Sequence, residues 1–289
     1  VILAHLNVVT SQSILDLQKK TEQVLERHLD VTKARLDVGE LTKTDLSQAE
    51  FRLAGATAER IKAESDLKNA KSAYEKVVGY QPEQLNLPQK KPQLPASLDA
   101  CLEIAEAENP FILAAREDES SSRHDVNRIK GELLPSVSLR GELTQAHDQM
   151  VKRLRSRDAG LYASISIPLY SSGSVEARIR QALHTQSQKG HHIEQARREV
   201  REKTFQFWDI LRAAKAQIVA RKHEVSASEV ALEGVINENK VGARTVIEVL
   251  DAEKDALKAK VNLVQAERDE LAACYALLPA LGRLHAKAL

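Results

Sequence analysis

The feature that most constrains the fold is an internal duplication. The segment 38–79 opens with Val-Gly and closes with Gly, and the segment 241–282 repeats this layout at an offset of 203 residues. The offset aligns Thr42 with Thr245, Asp45 with Glu248, Glu50 with Glu253, Glu64 with Glu267 and Asp66 with Asp269. Self-similarity at a fixed offset predicts two structural units of the same design.

Both repeats carry an alanine every seven residues. These alanines are Ala49, Ala56, Ala63 and Ala70 in the first repeat, and Ala252, Ala259, Ala266 and Ala273 in the second. A seven-residue spacing keeps one seam of a helix facing a partner helix, and small side chains let the two helices approach closely. A plain coiled coil would explain the heptads alone, but it has no need to repeat itself after a different intervening segment.

The predicted helices are long because turn-forming residues are few. The chain has 11 Gly and 8 Pro among 289 residues, and only 3% of its residues are aromatic, which argues against a wide globular core. The stretch Ser174–Lys240 lacks Pro and predicts one helix about 100 Å long. Residues 1–37 have the same helical pattern but are about thirty residues shorter, so the duplication leads us to expect an N-terminally incomplete chain.

The region between the repeats differs in character and divides the chain into four segments. They are a first helical hairpin (1–79), a linker with short helices (80–132), a β-hairpin (133–173) and a second helical hairpin (174–289). Tyr80–Pro95 holds four prolines and predicts an irregular linker. Helices are predicted over Ser97–Glu108, with Ser97 as its N-cap, and over Phe111–Glu132.

Two ten-residue segments, Leu134–Leu143 and Leu161–Tyr170, alternate apolar and polar residues with a period of two. Their length and pattern are typical of a tilted strand that crosses a membrane with its apolar face toward lipid. A half-buried hairpin of a soluble sheet has the same periodicity, but it needs a partner sheet, and we find no other convincing strand in the sequence. The polar, basic stretch Thr144–Gly160 between them predicts an exposed loop.

Composition and motifs exclude several function classes. The 42 Lys and Arg nearly balance the 41 Asp and Glu, so no basic surplus indicates nucleic acid binding. No phosphate-binding glycine loop, zinc-protease motif or serine-hydrolase motif occurs, and we expect a non-enzyme without a cofactor or metal. His184, His191 and His192 could share a helical face. Because no Cys or patterned carboxylate accompanies them as a further metal ligand, we expect them to be solvated. Cys101 and Cys274 form no metal or redox motif, and a bridge between them is left open.

Three short passages are the most distinctive motifs of the sequence. The first is Leu133–Val137 (LLPSV), which enters a strand, and the second is Ile167–Gly173 (IPLYSSG), which leaves the next strand for a long helix. The third and most specific is Val241–Leu257 (VGARTVIEVLDAEKDAL), with Val38–Glu50 (VGELTKTDLSQAE) as its counterpart in the first half. Together with the duplicated helices, these passages resemble the TolC family of outer-membrane efflux proteins over essentially the whole chain.

The resemblance implies a fold and a set of partners. The fold would be mainly α, with long antiparallel coiled-coil helices forming an α-barrel in a homotrimer and a β-hairpin contributing to a transmembrane β-barrel. The protein would lie in the outer membrane of a Gram-negative bacterium, in contact with outer-membrane lipid, and extend into the periplasm. Its implied partners are a periplasmic adaptor (membrane fusion) protein and an inner-membrane RND or ABC transporter. Its implied function is the exit duct of an efflux pump or a type I secretion system, and the resemblance leaves drug and protein cargo open.

The resemblance also implies roles for residues at the two helix junctions. The positions that Asp45 and Arg244 match form polar links that hold the periplasmic end shut. Those that Glu248 and Asp251 match form acidic rings inside the constriction. A tyrosine usual in the family five residues before the arginine is Asn239 here.

The same resemblance predicts where the adaptor docks. Val38 and Gly39 in the first half, and Val241 and Gly242 in the second, match the junctions that accept the hairpin tips of the adaptor. Glycine at such a point permits positive φ and a close backbone approach.

The sequence leaves two alternatives open. Thr42-x-x-Asp45 and Thr245-x-x-Glu248 match capping boxes, so a purely capping role would explain these side chains, although not Arg244 or Asp251. The alternative function is a soluble periplasmic adaptor or scaffold protein built on an α-helical hairpin. Such adaptors also carry lipoyl-like and β-barrel domains, for which this sequence offers no segment.

Overall fold

The computed structural model describes residues 1–83, 85–86, 92–147 and 155–284. The elements in chain order are α1 (Ile2–Asp37), α2 (Lys43–Val78), α3 (Leu98–Glu108), α4 (Pro110–Gly131), β1 (Ser136–His147), β2 (Arg155–Ser166), α5 (Ser174–Lys240) and α6 (Val246–Leu281). Two compact units are present: unit 1 comprises Val1–Ala107 and Arg201–Leu289, and unit 2 comprises Glu108–Val200. No helix in the described part of the chain is long and apolar enough to cross a membrane.

The duplication is visible in the helix boundaries. Both α2 and α6 contain 36 residues, and their first residues, Lys43 and Val246, differ by the same 203 positions as the sequence repeats. The preceding helices α1 and α5 end at Asp37 and Lys240, again at that offset. The predicted long helix over Ser174–Lys240 is confirmed with those bounds.

In unit 1, α1 and α2 form an antiparallel pair. Val8 and Leu15 of α1 pack with Ala63, Leu67 and Tyr74 of α2 in one buried cluster, and α6 lies against α1 as well. The heptad alanines form the predicted seam. Five of them are buried, namely Ala49, Ala63, Ala259, Ala266 and Ala273, and the other three are half-buried.

In unit 2, α4 runs antiparallel to the first part of α5. Arg178 of α5 pairs with Glu132 at the end of α4. Farther along, Gln186 donates to Glu119 at 3.0 Å, and Lys189 forms an ion pair with Asp118 at 3.2 Å. The buried Ile112 and Val126 of α4 and Val175 and Ala182 of α5 supply apolar contact surface in this unit.

The hairpin strands are antiparallel, in a register that pairs Ser136 with Ser166 and His147 with Arg155. They are shifted relative to the predicted segments, because β1 continues through residues 144–147 and β2 already begins at Arg155. The sequence predicts a loop over Thr144–Gly160, and this prediction is wrong for residues 144–147 and 155–160, which are strand. Residues 148–154 of that loop lie outside the described residues. The ladder ends at the Ser136–Ser166 pair because Pro135 and Pro168 flank it, and proline has no N–H to donate to a sheet.

The connecting region agrees with its predicted helices. Ser97 caps α3 by accepting the Ala100 N–H at 3.2 Å, and Asn109 caps α4 by accepting the Phe111 N–H at 2.9 Å. Helix α4 starts at Pro110, one residue earlier than predicted, since proline is well suited to the first helical position. Of the predicted linker Tyr80–Pro95, residues 84 and 87–91 lie outside the described part, and the rest forms no helix or strand.

Cys101 and Cys274 are both buried, and neither takes part in a disulfide. The bridge between Cys101 and Cys274 that the sequence leaves open is therefore not formed. Burial raises the pKa of the Cys101 thiol.

Candidate functional site

The two helix junctions have the same backbone geometry. At the first, the Gly39 N–H donates to the Leu36 carbonyl at 2.9 Å and the Glu40 N–H donates to the Arg35 carbonyl at 2.9 Å. At the second, the Gly242 N–H donates to the Asn239 carbonyl at 3.0 Å and the Ala243 N–H donates to the Glu238 carbonyl at 2.9 Å. This pair of bonds is the Schellman motif, which satisfies carbonyl groups left without partners at a helix end.

Glycine is required at both turns because the backbone is left-handed there. Gly39 has φ +76° and Gly242 has φ +78°. Apart from each glycine and its two chain neighbours, no atom lies within 4 Å of the position that a Cβ would take at either residue. The preceding valines project into solvent, with Val38 72% exposed and Val241 80% exposed. Each junction therefore presents an open, apolar tip that its own chain does not cover.

A capping box starts the helix after each turn. The Thr42 N–H donates to Asp45 Oδ2 at 2.9 Å, and the Asp45 N–H donates to Thr42 Oγ1 at 3.3 Å. The Thr245 N–H likewise donates to Glu248 Oε2 at 2.8 Å, and the Glu248 N–H to Thr245 Oγ1 at 3.4 Å. The capping role that the sequence predicts for these four side chains is confirmed. Hydrogen bonding to Thr42 holds the pKa of Asp45 below its usual range.

Arg244 lies between two carboxylates at the second junction. Its Nε donates to Glu238 Oε2 at 2.8 Å across the turn, and its Nη1 donates to Glu248 Oε1 at 2.6 Å one helical turn ahead. The Thr245 N–H and the Arg244 guanidinium both stabilise the charged carboxylate and lower the pKa of Glu248 to about 2. The two carboxylates in turn raise the pKa of Arg244. Arg244 thus fastens the end of α5 to the start of α6.

Asn239 closes the same turn from the other side. Its Nδ2 donates to the Arg244 carbonyl oxygen at 2.8 Å. Asn239, where the resemblance leads us to expect tyrosine, therefore makes a local contact that holds the junction.

Asp251 pairs with a residue that sequence reasoning missed. Arg52 of α2 donates from Nη2 to Asp251 Oδ1, although the two residues are 199 positions apart. A second link nearby joins His28 of α1 to Glu253 of α6 at 3.4 Å. No local pattern could have identified Arg52, because the pair exists only when α2 and α6 begin side by side.

The structure places the predicted gate residues with partners in their own chain. Asp45 contacts Thr42, while Arg244 contacts Glu238 and Glu248, each within its own junction. The link between Asp45 and Arg244 that the resemblance implies stays a prediction. Among the described residues, no group of three His, Cys, Asp or Glu side chains could hold a metal ion.

Known proteins of similar sequence include outer membrane proteins, one of them named as an efflux protein. Outer membrane efflux protein BepC of Brucella suis biovar 1 (strain 1330) is 33% identical over 286 residues, covering 99% of this chain and 63% of BepC. Outer membrane protein TolC of Escherichia coli (strain K12) is 26% identical over 298 residues, covering 98% of this chain and 60% of TolC. The chain therefore spans less than two thirds of the length of these relatives.

A solved structure supports the fold. A crystal structure of CusC, from a study of its folding and transmembrane channel formation, superimposes with a TM-score of 0.81 at 19% identity. The superposition covers 97% of this chain and 66% of the CusC chain. The predicted fold class is confirmed by this likeness.

A family model described as outer membrane efflux protein matches residues 101–283. This match covers more than half of the chain. The chain therefore belongs to the outer membrane efflux protein family.

Proposed function

We propose that this protein is an outer-membrane exit duct that receives substrates from an inner-membrane transporter and passes them across the periplasm and the outer membrane. It would serve a tripartite efflux pump or a type I secretion system. Family membership places the protein in the outer membrane of a Gram-negative bacterium, as the sequence predicts.

The observation that carries the proposal is the uncovered apolar face of the β-hairpin. In the observed register Val137 pairs with Ile165, and Leu139 pairs with Ala163, so their side chains share one face. Val137, Leu139, Leu143 and Ile165 are between 69% and 88% exposed. On the opposite face the Ser138 and Ser164 hydroxyls hydrogen bond at 2.7 Å. One apolar and one polar face are what a strand between lipid and an aqueous lumen requires.

Assembly follows from the same hairpin. Two strands cannot close a barrel, and a sheet edge inside a membrane would leave backbone groups without partners. Three copies that each contribute strands and long helices would close both a β-barrel and an α-barrel. We therefore propose a homotrimer, with outer-membrane lipid around the β-barrel.

The helix junctions are the proposed meeting point with the other components. The exposed pairs Val38-Gly39 and Val241-Gly242 would accept hairpin tips of a periplasmic adaptor, which in turn binds an RND or ABC transporter. Asp45 and Arg244 would act in the gate, and Glu248 and Asp251 would line the constriction. The duct needs no catalytic step and no cofactor, since the inner-membrane transporter would supply the energy.

A soluble periplasmic adaptor or scaffold is the weaker candidate. It would leave the apolar hairpin face in water, where a large exposed apolar patch favours association with lipid or another protein.

The proposal is tested by membrane insertion of two neighbouring variants in the full-length protein. Leu139→Arg puts a charge on the apolar face and should cost about 2–4 kcal/mol per chain, because a cation on the lipid face is poorly solvated. Ser138→Arg, the matched control on the polar face, should insert like wild type. Detergent-extracted trimer in the outer-membrane fraction and ion conductance in planar bilayers are the measurements. Equal insertion of both variants, or a wild-type protein that carries no current, would contradict the duct.

A further inference from the structure

Each carboxylate proposed for the constriction has a guanidinium partner. Glu248 is held by Arg244 at the junction itself. Asp251 is held by Arg52, which comes from the other helical hairpin. A ring of these acids in a trimer would therefore be accompanied by an equal number of arginines.

The ion pair of Arg52 with Asp251 is more persistent than one made by a fully exposed cation. Its side chain is 27% exposed, whereas that of Asp251 is 52% exposed. Arg52 lines a cleft of about 450 Å³ between α1, α2 and α6, together with apolar residues that include Leu25, Phe51 and Leu257. Partly removed from water, the pair is screened less by salt than a fully exposed pair would be.

The other charges of this cleft balance one another. Glu59 and Glu253 carry two negative charges, while Lys254 and Lys258 carry two positive ones. The negative charge of Asp251 is therefore compensated by Arg52 and not by the other charged residues of the cleft.

Pairing with a guanidinium strongly weakens the electric field that a carboxylate exerts on an ion in a narrow lumen. An isolated carboxylate acts on an ion as a single charge, whose effect reaches about one Debye length, roughly 8–10 Å. A carboxylate joined to a guanidinium acts as a dipole, whose effect falls off faster with distance. Removing the guanidinium would restore the full negative charge at three symmetric positions.

We propose that Arg52 is a selectivity-determining residue of the duct, because its ion pair with Asp251 cancels the charge that this acid would otherwise present to passing ions. This inference rests on the proposed function, which places Asp251 at the constriction. Arg52 thereby limits the preference for cations and the affinity for multivalent cations that a ring of free carboxylates would produce.

The experiment measures reversal potentials in a salt gradient for the full-length trimer in planar bilayers. Arg52→Gln should raise the cation-over-anion permeability ratio about threefold, since three charges become uncompensated near the axis. Asp251→Asn should lower the ratio by a similar factor, because it leaves Arg52 unpaired. The double variant should return close to wild type. Hexaamminecobalt(III), added from the periplasmic side, should block Arg52→Gln at a lower concentration than wild type.

Arg212→Gln is the matched control. Arg212 lies on α5, is 76% exposed and pairs with Asp209 at 3.0 Å, and its loss changes the net charge of the chain by the same single unit. If Arg52→Gln and Asp251→Asn both give the permeability ratio of this control, Arg52 does not compensate the charge of Asp251. The proposed function as an exit duct is unaffected by that result. Absence of current from the wild-type trimer would instead overturn the proposed function. The Asp251→Asn variant keeps the test decisive if Arg52→Gln does not assemble.

Discussion

Glu248 is the residue at which helix capping and charge pairing meet. Its carboxylate accepts the Thr245 N–H and also binds Arg244, and both contacts favour the ionised form. The pKa is lowered from an ordinary value of 4.5 to about 2. A capping role and a role in the lumen are therefore compatible, because one oxygen faces the helix start and the other faces the arginine.

The lowered pKa predicts how acid acts on the second junction. A carboxyl with a lower pKa in the folded state contributes stability that is complete above its unfolded pKa and is lost as pH falls through the folded value. Wild type should therefore be more stable than Glu248→Gln at pH 6, and the difference should vanish between about pH 4.5 and about pH 2. Thermal unfolding midpoints of the two proteins across this range are the measurement. A difference that is the same at pH 6 and pH 2 would show that the charge of Glu248 contributes nothing.

At the scale of elements, the chain uses one connection twice. In each half a helix ends in a Schellman turn at a glycine. Three residues after that glycine, a threonine opens the capping box of the next helix. The signals for this connection are local in sequence, so both junctions could be predicted from residue order alone. The strand bounds were less predictable, because the register of two strands decides where a ladder ends.

Two glycines of the second helical hairpin should respond to alanine in opposite directions. Gly242 has φ +78°, where a Cβ is strained, so Gly242→Ala should destabilise the protein by about 1 kcal/mol. Gly234 lies inside α5 with open space where the methyl group of an alanine would lie, and Gly234→Ala should stabilise by about 0.5–1 kcal/mol. Thermal or denaturant unfolding of both variants checks the signs. Equal effects of the two substitutions would mean that backbone strain does not define the junction.

At the scale of the whole molecule, the apolar hairpin face and the valine tips are two uncovered surfaces with proposed partners. The hairpin face would meet lipid in unit 2, and the valine tips would meet an adaptor in unit 1.

Adaptor docking predicts a specific loss on changing the tips. Val38→Asp and Val241→Asp leave the glycine turns intact but put a charge on an apolar contact, and each should weaken adaptor binding about tenfold. Val230→Asp on α5, at a residue that is 69% exposed, is the control of the same chemistry away from the junction. Co-purification with the adaptor and efflux of a fluorescent substrate from whole cells are the measurements. Wild-type efflux in the combined Val38→Asp and Val241→Asp variant would falsify docking at these tips.

The sequence by itself determined the helices, their repetition and the presence of a β-hairpin, although not the strand bounds. The reason is that heptad alanines, glycine turns, capping residues and strand alternation all act over a few neighbouring positions. The sequence predicted α5 with its observed bounds, and it offered as one alternative the capping role that Thr42, Asp45, Thr245 and Glu248 have in the structure. Only the tertiary structure decided that Arg52 meets Asp251 and that His28 meets Glu253. The reason is physical: these contacts depend on how α1, α2 and α6 pack side by side, and packing between distant segments leaves no periodic signal in the order of residues.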